Sequence, residues 1–337
     1  MGKHLSVSRG SRVTYRGKYI AVVVPAFNEE ELIRDTLLGI PDYVDRVYVV
    51  NDGSKDRTEE RVKSVASKDE RFVLLNHETN IGVGAAIVTG YSRSALDKID
   101  ITAIMAGDNQ MAPQELHKLL DPIVEGEADY AKGNRLRSRD TAIGMSDWRY
   151  FGNTILTYLT RFVAHNRNIN DPQNGYTAIS NRVFGTMKPQ SIYTWYGYCN
   201  DILVKLSTYG FTIKDVDIPA RYGTEKSKIS YPKYMFRLSR LLFNEFCWRL
   251  NYYHNENTTR KANKTIALGA IVSALGAIMA LTYYISHSSN MGAVESLLGG
   301  MTIIVMVGGA ISYMGFKIKH GDELGTGNND LNDVGLL

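Results

Sequence analysis

The sequence predicts an α/β domain built on a mainly parallel sheet, followed by an amphipathic helix and two membrane-length apolar segments. Three observations carry that expectation. Short, almost wholly apolar runs alternate with helical patterns from residue 19 to residue 219, as they do where a sheet is covered by helices on both faces. Four of these runs end in polar, turn-forming residues on their C-terminal side. Residues 265–285 and 297–316 contain no charged side chain, and each is about as long as a bilayer core requires.

The elements follow in order. Residues 19–25 (YIAVVVP) make a first buried strand; residues 26–29 then turn the chain into a helix, with Asn28 as its cap and Glu29 in its dipole-favoured first turn. Residues 46–51 (RVYVVN) are a second strand, followed by Asp52-Gly53-Ser54 and a helix from about Asp56 or Thr58. A short strand at 72–76 precedes the glycine-punctuated stretch 80–90 (NIGVGAAIVTG), which opens another helix. The spacing of Gly82, Gly84 and Gly90 lacks the dinucleotide-binding pattern, and no Walker lysine follows. These glycines are expected to let the backbone approach a ligand or a neighbouring loop closely.

Residues 101–105 form the next strand, after which Ala106-Gly107 turn the chain and present Asp108, Asn109 and Gln110. A helix near 113–125 and a strand at 130–135 complete this alternation. Residues 148–165 are helical, with Arg149 and Asn153 on one face. The turn DPQNGY (171–176) leads into a strand at 177–180. An aromatic loop at 193–198, a helix at 201–209, a strand at 211–219 and a polar, basic loop at 221–228 follow.

The four polar strand ends are Asn28-Glu29, Asp52-Gly53-Ser54, Asp108-Asn109-Gln110 and Asn134-Arg135. Converging on one edge of a parallel sheet they make a ligand cleft. The oxygen ligands of Asp108 and Gln110 suit a hard divalent cation, Mg2+ or Mn2+, carrying a diphosphate. A net charge of +4 is too mild to argue for nucleic acid. Two cysteines give no disulfide framework, and seven scattered histidines give no zinc spacing.

Outside the domain, residues 1–18 are a basic, flexible tail without the apolar core of a signal peptide. Residues 231–260 hold an amphipathic helix in which Arg237, Arg240 and Arg249 stand among Phe243, Phe246 and Trp248. Such a helix is expected to lie in the lipid headgroup plane; the alternative is a helix docked on the globular domain. The spans 265–285 and 297–316 form a transmembrane hairpin. Lys261 and Lys264 precede it, Lys317 and Lys319 follow it, and no lysine or arginine lies between the spans. The α/β domain and both termini are therefore expected on the cytoplasmic side of the cell membrane. Residues 321–337 are a polar tail expected to be disordered.

VVVPAFNEE, VNDGSKDRT and NIGVGAAIVTG together resemble the first three motifs of the family 2 glycosyltransferases, inverting enzymes of the GT-A fold. The resemblance covers residues 19–230 and is greatest to the polyprenol-phosphate branch, which includes dolichol-phosphate mannose synthase. It implies transfer of a sugar from a UDP- or GDP-linked nucleotide sugar to a polyprenyl (dolichyl or undecaprenyl) phosphate. By that resemblance Pro25, Phe27, Asn28, Glu29, Asp52 and Gly84 belong to the donor pocket, with Asp52 facing the base. MAGDNQMAP matches MDADxQHxP, which puts the metal on Asp108 and Gln110; the first aspartate of that element is Ala106 here. KGNRL makes Arg135 a contact to donor phosphate. Arg149 and Asn153 match a pair that holds the lipid phosphate, and Arg221, Ser227 and Lys228 match a loop that closes over the donor. Asp201 stands where many relatives place a catalytic base. Two alternatives stay open: transfer to a saccharide hydroxyl with Asp201 as base, or an impaired nucleotide-sugar-binding scaffold, the second suggested by Ala106.

Overall fold

The apolar runs become strands because burial on both faces leaves their backbone groups only one another as partners. The structure, a computed structural model, describes residues 14–136, 147–187, 189–219 and 231–257, together with residue 269. The chain divides into two units, residues 1–245 and 246–337.

In the first unit the order is β1 (Ile20–Ala26), α1 (Ile33–Leu38), β2 (Arg46–Asp52), α2 (Thr58–Ala66), β3 (Phe72–His77), α3 (Val83–Leu96) and β4 (Ile101–Ile104). A 3-10 turn at Pro113–Glu115 leads to α4 (Leu116–Val124) and β5 (Tyr130–Asn134). Then come α5 (Asp147–Ala164), β6 (Thr177–Ser180), α6 (Asn181–Thr186), α7 (Tyr198–Thr208), β7 (Ile213–Asp217) and α8 (Tyr231–Asn257), whose last turns pass into the second unit.

The seven strands form one sheet in the order β3-β2-β1-β4-β6-β5-β7. Only β6 runs against its neighbours, β4 and β5; the pairs β1–β2, β2–β3, β1–β4 and β5–β7 are parallel. The mainly parallel sheet expected from the alternation is thus observed. All seven residues of β1 and all four of β4 are buried. Because β1, β2, β4 and β5 point the same way, their C-terminal ends and the four polar turns share one edge of the sheet.

Three expectations need correction. The helix after β1 begins at Ile33, not in the turn at 26–29. Asn28 adopts a left-handed φ of 54°, and its Oδ1 accepts the Lys55 N–H at 2.8 Å instead of capping a helix of its own. The tail expected to be flexible to residue 18 is ordered from residue 14: Tyr15 and Lys18 form a bridge, and Tyr15 donates its hydroxyl to Asp121 at 2.6 Å. Third, the part of α8 in the first unit is docked. Leu238, Leu241, Leu242 and Glu245 form a buried stripe at helical spacing, and a Cβ on Gly197 would come within 2.9 Å of Leu241. Arg237, Arg240 and Phe243 face outward.

Among the described residues no helix is long and apolar enough to cross a membrane. The expected hairpin, apart from residue 269, and the tail 321–337 lie outside the described residues.

Candidate active site

The first two strand ends are bound together by short polar side chains meeting backbone N–H groups. The Asn28 N–H donates to Ser54 Oγ at 3.0 Å, the Glu29 N–H to Thr58 Oγ1 at 2.8 Å, and the Glu30 N–H to Asp56 Oδ2 at 3.1 Å. In return Glu30 accepts the Arg57 N–H at 3.0 Å. Serine, threonine and aspartate suit this work because each offers a side-chain oxygen to a backbone N–H that has no strand or helix partner. Pro25 is buried in β1, where its carbonyl accepts the Gly107 N–H at 3.2 Å; Phe27 and Glu29 are half-buried at the edge.

Asp52 ends β2 and is 3% exposed. Its carboxylate takes the Ile81 and Gly82 N–H groups at 3.1 and 2.9 Å and pairs with His77 Nδ1 at 2.7 Å. The oxygens expected to face a base therefore hold the 81–82 loop, and His77 in turn meets Thr89 Oγ1 at 3.0 Å. Gly82 and Gly84 are required by a neighbouring loop. A Cβ on Gly84 would lie 2.1 Å from the Tyr193 carbonyl, and one on Gly82 would lie 2.3 Å from the Thr194 carbonyl. Of the two partners open from the sequence, a ligand or a loop, these glycines meet the aromatic loop at 193–194.

After β4 the chain makes a tight turn. Asn109 takes a left-handed φ of 58°, and the Gln110 N–H donates to Asp108 Oδ1 at 3.1 Å. The Ala106 N–H meets Met111 Sδ at 3.2 Å. Among the described residues no group of three or more His, Cys, Asp or Glu side chains gathers as a metal would require of the protein alone. Asp108 and Gln110 still fit a hard, oxygen-preferring cation that takes most of its ligands from a diphosphate and water.

The end of β5 is built from charges. Arg135 forks onto Asp171, Nε to Oδ2 at 2.7 Å and Nη2 to Oδ1 at 2.9 Å, and its own N–H adds a third bond at 3.0 Å. Asp171 is fully buried. Burial alone would push its carboxyl up, but the charge and hydrogen bonds of Arg135 and the charge of Lys132 hold it below the usual carboxylate range. Lys132, 1% exposed, pairs with Asp215 at 2.9 Å. Arg135 keeps 23% of its side chain exposed, so the fixed guanidinium still reaches solvent.

Asp201 does not stand where a general base would. It is 0% exposed, ion-paired with Lys205 one turn along α7, and accepts the Tyr193 N–H at 2.6 Å. Asn153 is half-buried in α5. The Arg149 side chain and all of Arg221, Ser227 and Lys228 lie outside the described residues. The strand ends thus bring together Asn28, Glu29, Asp52 and Gly84 on one side and place Asp108 and Arg135 at the same edge. Asp171, Lys132 and His77 were missed as site residues. Asp171 was read as opening the DPQNGY turn, which resembles a family turn near the acceptor, and not as the partner of Arg135; nothing near Lys132 in sequence shows that it is buried.

Comparison with known proteins agrees with this geometry. Residues 21–185 match the family described as Glycosyl transferase family 2. A Methanococcus voltae protein named UDP-N-acetylglucosamine–dolichyl-phosphate N-acetylglucosaminyltransferase is 26% identical over 249 residues, covering 67% of this chain and 98% of that one. Polyprenol monophosphomannose synthase of Mycolicibacterium smegmatis is 30% identical over 211 residues, covering 58% of this chain and 75% of that one. A crystal structure of glucosyl-3-phosphoglycerate synthase from Mycobacterium tuberculosis, in complex with Mg2+ and UDP, shares the fold. It has a TM-score of 0.52 and 21% identity, covering 69% of this chain and 79% of that one. Motifs, sheet order and relatives converge: this glycosyltransferase belongs to family 2.

Proposed function

We propose that the chain transfers a sugar from a UDP- or GDP-linked donor to a polyprenyl phosphate, with inversion, at the cytoplasmic face of a membrane. The observation that carries this reading is the match to a dolichyl-phosphate sugar transferase along 98% of that relative's length. The site's chemistry supports it. A phosphate acceptor is already an anion, so the enzyme needs to align two phosphate-bearing reactants and neutralise the leaving diphosphate rather than remove a proton. Arg135 is suited to that task, because Asp171 fixes its guanidinium before any ligand arrives. Asp201, enclosed with Lys205, offers no exposed base, as an ionised acceptor allows and a sugar hydroxyl would not.

A divalent cation would be held by Asp108 and Gln110 and would offset charge on the donor diphosphate. Asn28, Glu29 and Asp52 frame the donor side, and Arg149 and Asn153 on α5 are the candidates for the lipid phosphate. The membrane enters through the uncharged segments 265–285 and 297–316 and the outward face of α8.

The test incubates membranes containing the protein with a panel of labelled UDP- and GDP-sugars and polyprenyl phosphate. One donor is expected to yield a labelled lipid, and Asp108→Ala is expected to abolish turnover. Donor binding without any lipid product across the panel would overturn the acceptor; full activity of Asp108→Ala would overturn the cation site.

A further inference from the structure

The last turn of α8 in the first unit brings a second carboxyl to a buried ion pair. Leu241 and Leu238 pack on Gly197 at the start of α7, and one turn beyond Leu241 the side chain of Glu245, 9% exposed, meets Asp201 and Lys205 of α7, which are 0% and 4% exposed. One ammonium is thus enclosed with two carboxyl groups. Among the described residues, Tyr209, just past α7, also lies near them: burial first, then the charges of Asp201 and Glu245, push its phenol up. The pair also holds a loop. Lys205 Nζ donates to the Ser191 carbonyl, and Asp201 accepts the Tyr193 N–H at 2.6 Å. Next along, the Thr194 carbonyl accepts the Ala85 N–H at 3.2 Å, and the carbonyls of Tyr193 and Thr194 sit where only Gly84 and Gly82 leave room. The Gly82 N–H then reaches Asp52.

From this connected set of contacts we propose that Glu245 is a positioning residue for the transfer reaction: through Asp201 and Lys205 it holds the 191–194 segment against Gly82 and Gly84, and so shapes the donor side of the site. The proposal rests on the donor reading of the 81–84 loop given above. With Glu245 protonated the cluster carries one carboxylate and one ammonium and is neutral. With Glu245 ionised a second carboxylate shares the same dry space, and its nearest neighbour is the carboxylate that anchors the loop. Burial, and then the charge of Asp201, push the Glu245 carboxyl up to about 8 despite Lys205. The sign follows. The folded chain binds this proton more tightly than the unfolded one, so the cluster's contribution is complete below the ordinary glutamate range and falls as pH rises through about 8.

The test uses the full chain in membranes or detergent and compares the parent with Glu245→Gln and Glu245→Asp. Transfer rate and donor KM are followed from about pH 6 to about pH 9.5, spanning the ionisation. Trp195, beside the held segment, reports independently as the sole tryptophan once Trp148 and Trp248 are replaced by phenylalanine. The parent is expected to lose transfer about tenfold across the upper limb, chiefly through donor KM. Trp195 emission should move with the same midpoint. Glu245→Gln should match the parent near neutrality and show neither change; Glu245→Asp should restore both. A Glu245→Gln protein that keeps both transitions, or that fails to fold, overturns the proposal. So does a parent whose Trp195 emission is flat across the range. If no lipid product forms with any donor, the acceptor reading fails, while the Trp195 titration still decides the role of Glu245.

Discussion

The two halves of the sheet edge are held by different forces. On the β1–β2 side, loops 28–30 and 54–58 exchange bonds between backbone N–H groups and small polar side chains, mostly part-buried. On the β5–α7 side the framework is buried charge: Arg135 on Asp171, Lys132 on Asp215, and Lys205 between Asp201 and Glu245. A hydrogen bond near solvent can be replaced by water, so each contact on the first side is individually cheap to lose. A buried charge that loses its partner has no such substitute. Rigidity on the second side is therefore concentrated in a few groups, which suits the proposed role of Arg135 as a fixed cation for a phosphate.

The largest expected effect tests that concentration. Asp171→Ala strips Arg135 of its forked carboxylate partner, and should cost about 3–5 kcal/mol of stability, read from urea denaturation. Transfer activity should be lost with it. The pH dependence carries a sign of its own. The depressed Asp171 carboxyl contributes stability that is complete above the ordinary carboxylate range and is lost as pH falls through its lower folded value. Acid should therefore destabilise the parent more than the variant. Equal acid sensitivity of the two would show that the pair does not anchor this half.

A middle-sized effect tests the seam between the halves. Gly84→Ala places a methyl 2.1 Å from the Tyr193 carbonyl, a backbone atom that cannot rotate away. Overpacking of this kind costs about 1–3 kcal/mol. Because the displaced segment lies on the donor side, donor KM should rise more than kcat falls. A variant with unchanged KM and unchanged stability would mean that the 193–194 loop moves aside freely.

The same contrast explains what the sequence could disclose. The sheet was legible because parallel strands covered on both faces are apolar almost throughout, as β1 and β4 are. The joined loops of the β1–β2 side lie in stretches that stand out in the sequence: Asn28, Ser54, Asp56 and Thr58 all fall in the two first-read runs. The charged half was not legible in that way. Asp215 lies 83 residues from Lys132, in a strand that reads as half-polar. Glu245 sits in a helix whose arginines and aromatic residues suggest a lipid surface, and its buried stripe shows only once α7 is in place. Asp201 was read as a base because it stands where many relatives place one; its burial is a property of the fold.

The smallest effect sharpens the contrast from the donor side. Asn28 holds a left-handed φ of 54° and accepts the Lys55 N–H through Oδ1. Glycine takes that backbone conformation without strain, so Asn28→Gly removes the side-chain bond to Lys55 without adding backbone strain. The freed Lys55 N–H lies near solvent, and water can satisfy it, which limits the loss to about 0.5–1 kcal/mol. Alanine at the same place adds the left-handed penalty of a β-carbon, about 1–2 kcal/mol more. The difference between the two variants, measured as a difference in urea midpoint, isolates backbone strain from the hydrogen bond. Equal costs for glycine and alanine would show that the left-handed backbone at residue 28 carries no penalty; a glycine variant that alone loses well over about 1 kcal/mol would show that the bond to Lys55 is worth more than a solvent-near contact should be, and that the β1–β2 side is held as stiffly as the charged half.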